Sequence, residues 1–216
     1  MATQTGRNVK VEIAATYAEA KTVTAITLAD PGVASSTAHG LANGTVGYFA
    51  DDVAGMVQIA GAAASVANQA SGTFELEGEA TTGYSAFTSG TFVPVATWAT
   101  LSTSTGYEIP NAEADDLDVT TLLDVIKKSE GGLLAAQNVT ISGFSDAQNA
   151  AVILCRKAAL AGGYVVVKMT LNNGERRIFR AMPSAPGESM SVGQKATSSV
   201  GFKVKGRVLM LPAVAA

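Results

Sequence analysis

Nucleophilic catalysis needs a serine or cysteine beside a general base, and this sequence contains one histidine and one cysteine. His39 lies in a Thr-Ala-His-Gly segment typical of a turn, where we expect a local hydrogen bond. Cys155 lies far away in sequence, inside a predicted helix, and we expect a small buried thiol. A single cysteine allows no internal disulfide and indicates no oxidising compartment. The residue types therefore do not favour an enzyme.

A cluster of aspartates in residues 110–124 is a second candidate for chemistry. Asp115, Asp116 and Asp118 could supply oxygen ligands to Ca²⁺, but the spacing lacks the glycine and the distal glutamate of a calcium loop. We expect instead an acidic loop that is either solvated or in contact with another subunit. The sequence also lacks a phosphate-binding glycine loop, a paired-cysteine metal motif and a basic-aromatic nucleic-acid surface. We therefore expect no cofactor and no metal.

Three glutamates alternate along one predicted strand. Glu75, Glu77 and Glu79 would share one face, since side chains two residues apart point the same way. Three like charges destabilise an exposed strand unless they face basic groups or serve a purpose such as repelling a polyanion. The sequence leaves both possibilities open.

Charge is unevenly distributed along the chain. Only 15% of the 216 residues are charged, which is low for an ordinary soluble domain, and no lysine or arginine occurs between Lys21 and Lys127. Acidic residues fill that interval and basic residues gather after it, which favours head-to-tail association of identical subunits. Two solvated faces without a partner are the alternative. The residues that we predict at self-assembly contacts are Glu113, Asp115, Asp116, Asp118, Asp124, Arg176, Arg177, Arg180, Lys203 and Lys205.

The clearest secondary-structure signals lie in residues 138–182. Ser145 and Gln148 form a capping-box pattern, and apolar residues then recur at helical spacing, which predicts a helix over residues 146–161. The pair Gly162 and Gly163 ends it. Alternating strands follow on either side of a turn at residues 172–174, and residues 138–144 form a strand before the helix. One helix packed on an antiparallel sheet is the prediction.

The flanking regions favour further β-structure. Residues 8–13 and 196–211 alternate as a first and a long closing strand, and residues 95–109 indicate a strand returning to the main sheet. Residues 110–118 are an acidic connector, and residues 119–129 a short helix or ordered loop ended by Gly131 and Gly132. Residues 26–93 change to short β-like runs between turns, with strands predicted at 46–49, 56–59, 65–66 and 73–76. Residues 1–10 have no apolar run typical of a signal peptide, and we expect a protein made and kept in a cytosol.

Four sequence blocks in residues 26–93 resemble a β-module found repeatedly in phage virion proteins. They are STAHGLANG at residues 36–44, VAGM at 53–56, TFEL at 73–76 and TGYSAFTSG at 82–90. The resemblance implies no reaction. It predicts an inserted module at residues 26–93 that projects outward from a second domain formed by residues 1–25 and 94–216.

The rest of the chain resembles the tail tube, or major tail, protein of long non-contractile phage tails. The order of acidic loop, strand 138–144, helix 146–161, hairpin around 172–174 and the ending TSSVGFKVKG at 197–206 carries the resemblance. It implies a mainly β fold, a rolled β-sandwich or barrel with one flanking helix, and a structural role without catalysis. It also implies hexameric rings stacked into a tube in the virion, assembled in the host cytoplasm. The implied partners are further copies, the tape measure protein, the tail terminator, distal tail or baseplate proteins, and DNA passing through without specific binding.

Two other functions remain open from the sequence. A cell-surface or carbohydrate-binding module would need exposed aromatic residues clustered in residues 26–93, and Tyr48, Phe49, Tyr84 and Phe87 are the candidates, although they could form core. An esterase-like enzyme is disfavoured by the single histidine.

Overall fold

A computed structural model describes residues 8–214, so residues 1–7 and 215–216, at the two ends of the predicted second domain, lie outside the described residues. The described chain is mainly β, with one α-helix, α1 at Ala150–Ala161. The strands are β1 Lys10–Tyr17, β2 Lys21–Val23, β3 Ala25–Ile26, β4 Val33–Ser35, β5 Val46–Phe49, β6 Ala63–Ala67, β7 Thr73–Leu76, β8 Gly90–Thr100, β9 Ser104–Glu108, β10 Ala114–Asp118, β11 Ser129–Leu134, β12 Asn138–Phe144, β13 Val165–Thr170, β14 Arg176–Pro183, β15 Gly187–Ser189 and β16 Thr197–Leu211.

Fourteen of these strands form one curled sheet. Its order is β3, β4, β7, β6, β5, β8, β1, β13, β14, β16, β12, β9, with β2 added on β8 and β15 on β16. Neighbouring strands pair antiparallel, and the tight turn at residues 172–174 sets the register of β13 and β14, for example Val167 opposite Phe179. Strands β10 and β11 form a separate two-stranded sheet. The predicted mainly β fold with one flanking helix is confirmed.

The central strands are covered on both faces. Val165 and Val167 of β13 join one apolar core beneath α1, whereas Val166 points into a second core shared with β5, β6 and β16. Side chains alternate across a strand, so one run of valines can line both cores. Helix α1 packs across β1, β8 and β14 on the first face. The sheet therefore curls as a half-barrel around the first core and is closed on its other face by residues of the 26–93 segment.

The helix begins four residues later than the capping-box pattern predicts. Asn149 is the N-cap, and its side-chain oxygen accepts a hydrogen bond from the amide of Ala151 at 2.9 Å. The predicted cap, Ser145, instead donates its amide to the carbonyl of Ala196, while the Asp146 carboxylate accepts from the Gln148 amide. Those bonds hold residues 145–148 in a turn. The predicted end is right, since Gly162 adopts the left-handed conformation that stops the helix.

Segment 26–93 has a core of its own and also joins the large sheet. Strands β5 and β7 occupy their predicted positions, and residues 65–66 lie within β6. The strand predicted at residues 56–59 is wrong, because Val57–Ile59 forms a 3-10 helix that buries Ile59 in the segment core. The segment enters the large sheet through β8, and the predicted boundary at residue 93 falls inside that strand. The division into two domains stays a prediction.

The run at residues 95–109 is two strands instead of one. The chain turns at residues 101–103 and then changes its pairing partner. Strand β8, before the turn, pairs with β1, whereas β9, after it, pairs with β12. Leu101 lies buried at this turn and its amide donates to the carbonyl of Val11. The buried leucine explains the turn, because it anchors the chain against the first core.

Candidate assembly surfaces

Residues 110–137 form a β-hairpin that we call the arm. The sequence predicts an acidic connector followed by a helix or loop, but β10 and β11 pair antiparallel, with Leu117 opposite Glu130 and Asp118 opposite Ser129. Gly131 and Gly132 do not end a helix; they lie inside β11. A Cβ on Gly132 would lie 2.9 Å from the carbonyl oxygen of Asp115, so this position needs glycine for the strands to pair. The helix alternative is therefore wrong, whereas residues 119–128 form the loop that joins β10 and β11, in agreement with the loop alternative.

The arm exposes an unusual number of large apolar side chains. Leu122 and Val125, at its tip, are fully exposed. At about 60–120 Å² for each large aliphatic side chain, eight such residues present roughly 500–1,000 Å² of apolar surface. A typical monomer exposes a largest apolar patch of about 300–600 Å². The eight residues are Leu117, Val119, Leu122, Leu123, Val125, Ile126, Leu133 and Leu134.

Two of the predicted acidic contact residues are paired within the arm. The Lys127 ammonium lies 3.5 Å from the Asp118 carboxylate, and Lys128 pairs with Asp124. Hydrogen bonds from Thr120 lower the pKa of Asp118, and the bond from Lys128 lowers the pKa of Asp124. Both aspartates therefore shape the tip, whose outward surface is apolar.

The other acidic residues of the arm have no cationic partner among the described residues. Glu113, Asp115, Asp116 and Glu130 are exposed, and no ion pair of the described chain includes them. The arm thus combines an apolar tip with a base that carries unpaired negative charge.

Basic residues of the C-terminal half pair with acidic residues of segment 26–93. Arg176 is 4% exposed and reaches the Glu77 carboxylate at 2.6 Å, the Ser65 hydroxyl at 3.1 Å and the carbonyl oxygen of Pro212. Arg207 pairs with Glu79 at 2.6 Å. We call these contacts, together with those of Asp51 described next, the ionic seam. The sequence left open whether the alternating glutamates face basic groups or repel a polyanion. In the structure, Glu77 and Glu79 face basic groups.

Asp51 forms the third contact of the ionic seam. Its carboxylate lies 2.6 Å from the Lys205 ammonium and 3.6 Å from the Arg180 guanidinium. The hydrogen bond from Lys205 lowers the pKa of Asp51. Arg180 also stacks between two tyrosines, 4.2 Å from the ring centre of Tyr48 and 5.0 Å from that of Tyr164. The seam therefore fixes segment 26–93 on the half-barrel through charge and aromatic contacts together.

The structure thus separates the ten predicted contact residues into different environments. Arg176, Arg180 and Lys205 form pairs inside the chain, and Arg177 pairs with Glu175 at 2.8 Å. Lys203 is exposed and has no ion pair among residues 8–214. Their role between subunits stays a prediction. Sequence reasoning missed the apolar arm tip; four apolar residues in the five-residue run 122–126 were the available signal, interpreted as a helix or loop.

Neither catalytic candidate lies in a site. His39 is buried, with its Nε2 atom 2.7 Å from the carbonyl oxygen of Ala70 and its Nδ1 atom accepting from the Leu41 amide. Burial raises the pKa of the Cys155 thiol to about 12, so it stays protonated and unreactive. Within residues 8–214, no helix is both long and apolar enough to cross a membrane.

The candidate carbohydrate-binding aromatics do not form an exposed cluster. Phe49 is buried in the segment core, and Tyr84 and Phe87 pack against that core. Tyr84 also donates to Glu79 at 2.6 Å, and Tyr48 packs on Arg180. An open hollow of about 220 Å³ elsewhere is lined by Val9, Val11 and residues 104–107. Neither arrangement favours a sugar site.

Comparison with known families gives the decisive observation. A family model described as phage tail tube protein, TTP, matches residues 54–212, well over half of the chain. The chain belongs to the phage tail tube protein family. The match covers the arm, α1 and β16, and it begins inside segment 26–93.

A solved structure described as the tail of an empty GTA particle, computed with helical refinement and C6 symmetry, is similar at 13% identity and a TM-score of 0.42, covering 53% of this chain and 87% of that one. Curated proteins give no significant match. Family membership makes the protein a structural component of the phage tail, and the cell-surface or carbohydrate-binding alternative is not favoured.

Proposed function

We propose that this protein polymerises as stacked hexameric rings that form the tail tube, the conduit through which DNA enters the host. The observation that carries the proposal is the arm. It gathers eight exposed large apolar side chains on one hairpin outside the main sheet, and large exposed apolar patches typically mark interaction sites. A neighbouring copy in the same ring or the next one would cover that surface. Hexameric rings are what the family resemblance implies.

The tip would contribute most of the stacking free energy. Burying one fully exposed leucine or valine contributes about 1.5–3 kcal/mol. The tip carries Leu122, Leu123, Val125 and Ile126, whereas Asp118 and Asp124 beside it are paired internally. Apolar association of this kind survives high salt, whereas association by exposed charges alone weakens. We therefore expect tubes to persist at high ionic strength.

The channel surface is proposed to come from strands of the C-terminal half. The face of β12 and β16 opposite α1 carries the small, uncharged residues Thr140, Ser142, Ser199 and Gly201. It also carries the exposed Phe144, Lys203, and Lys205, which is paired with Asp51 of segment 26–93. Each inward lysine or arginine would add salt-sensitive affinity for phosphate. A lining with few unpaired cations would therefore let DNA slide without specific binding.

The remaining assignments of the proposal follow from this arrangement. Segment 26–93 would project outward from the tube wall, held by the ionic seam. The tape measure protein would occupy the tube during assembly in the host cytoplasm, and the tail terminator and distal tail or baseplate proteins would cap its ends. The protein would act without catalysis.

Electron microscopy of the purified protein tests the proposal. The natural sequence should form tubes of uniform diameter, and a protein that stays monomeric at every concentration would refute the function. A variant with Leu122→Ser, Leu123→Ser, Val125→Ser and Ile126→Ser should remain a soluble, folded subunit. The matched control changes two exposed apolar residues outside the arm, Leu28→Ser and Val57→Ser, and should still form tubes. Tubes formed by the tip variant would show that the arm is not the joint.

A further inference from the structure

The outward face of α1 carries an apolar ridge between two cations. Ile153, Arg156, Lys157 and Leu160 lie at intervals of three, four and seven residues, so they share one helix face. Leu160 is 82% exposed, and both basic residues are exposed. The opposite face is buried in the first core through Ala151, Val152 and Cys155. Within residues 8–214, Arg156 and Lys157 have neither an ion pair nor a hydrogen-bonded side-chain partner.

One face of the arm has the complementary pattern. Leu117 lies directly opposite Glu130 in the hairpin, and Asp115 precedes it by two residues. A Cβ on Gly132 would lie 3.4 Å from both the Cβ of Asp115 and the Cγ of Leu117, which puts these two side chains on the same face. Gly132 itself adds no side chain there. The result is an exposed leucine beside two unpaired carboxylates.

We propose that this arm face docks on α1 of a second copy, with Leu117 against Leu160 and the two carboxylates of Asp115 and Glu130 against Arg156 and Lys157. The inference rests on the proposed tube function and names the receiving surface for the arm. The arrangement of residue types matches on the two surfaces, since each places an apolar side chain beside two like charges. They also match in sign, since one carries carboxylates and the other cations.

The distribution of cations favours α1 over other receiving surfaces. The ionic seam engages Arg176, Arg180, Lys205 and Arg207 inside the chain. Of the other exposed cations after the arm, Lys195 stacks over the Phe144 ring, and Lys203 lies on β16 in the proposed channel lining. Among residues 8–214, only α1 places two unpaired cations beside an exposed apolar residue on a rigid element. The partner is a second copy, because the arm has this complementary surface in every subunit.

Charge reversal and restoration test the docking. Arg156→Glu with Lys157→Glu should reduce tube yield at least about tenfold, because like charges would then face each other. Asp115→Lys with Glu130→Lys should do the same. All four changes in one chain should restore tubes, since the complementarity returns with opposite sign. Circular dichroism checks that each variant is folded, and the four positions are exposed enough to accept the change.

The matched control is Lys195→Glu, which reverses an exposed cation away from α1. Normal tubes from this control support the proposal. Loss of tubes that Asp115→Lys and Glu130→Lys restore would place the arm on the other surface and overturn it. Tubes from Arg156→Glu with Lys157→Glu would also overturn it while leaving the tube function standing. Failure of the natural sequence to form tubes would instead refute the proposed function itself.

Cross-linking gives a direct readout. A chain with Leu117→Cys and Leu160→Cys should form a ladder of disulfide-linked copies when tubes are oxidised, and none when the arm-tip serine variant is treated alike. The buried Cys155 thiol, with its pKa raised to about 12, does not compete. The control pair Leu117→Cys with Lys195→Cys should give no ladder. A ladder from the control alone would contradict docking on α1.

Discussion

Arg176 should be the residue whose loss most weakens the union of segment 26–93 with the half-barrel. Its side chain is 5% exposed and that of Glu77 is 17% exposed. Breaking a buried ion pair by removing one partner costs about 3–5 kcal/mol. Glu77 keeps the hydrogen bond from Ser65 at 2.7 Å and some contact with water, so the lower end applies. We expect Arg176→Met to reduce the free energy of unfolding by about 3 kcal/mol.

Urea denaturation of the soluble arm-tip variant provides the assay, because polymerisation would otherwise obscure unfolding. With a slope of about 3 kcal/mol per molar urea, the midpoint should fall by about 1 M. The double change Arg176→Met and Glu77→Met should recover at least half of the loss, since no buried charge is then left unpaired. Lys21→Met, which breaks an ion pair to the exposed Glu19, is the control and should cost under about 1 kcal/mol. A loss under about 1 kcal/mol for Arg176→Met, or no recovery in the double variant, would refute the reasoning.

Three further outcomes are expected. Asn149→Ala should lower the free energy of unfolding by about 1 kcal/mol, whereas Ser145→Ala should change it little; equal effects would contradict the observed cap. Burial tends to raise the pKa of Glu12, but the two lysine ammonium groups beside it outweigh burial and lower that pKa overall. Its stabilisation is therefore present above the unfolded pKa and lost as pH falls through the folded pKa. The stability gap between the natural protein and Glu12→Gln should close in acid, and a gap constant with pH would count against this pair. A thiol reagent should label Cys155 only after unfolding, and rapid labelling of the native protein would show that the thiol is accessible.

Local alternation and glycine placement predicted the strands well. The strands at residues 46–49 and 73–76 have their predicted bounds, because each is short and follows a turn that contains glycine. The end of α1 was predictable from Gly162 for the same local reason. The start of α1 was not predictable from local signals. The Asp146 carboxylate and the carbonyl of Ala196 hold residues 145–148 in a turn, and Ala196 lies far along the chain.

Contacts between distant residues account for what sequence patterns missed. Arg176 meets Ser65, which lies 111 residues away, and no local pattern indicates that pairing. The charge split along the chain suggested contacts between subunits, yet part of it is neutralised inside one subunit. The arm was missed because its apolar run resembles a short helix, whereas in the structure that run lies in the loop between β10 and β11, where its side chains are exposed.

Strand β8 gives the protein a mechanical property. It runs for 11 residues and pairs with β5 near one end and with β1 near the other. A pull on segment 26–93 is therefore transmitted along a continuous backbone, so that many hydrogen bonds are sheared together instead of being opened one after another. If segment 26–93 projects from the tube wall as proposed, an attachment of this kind would resist its being peeled away.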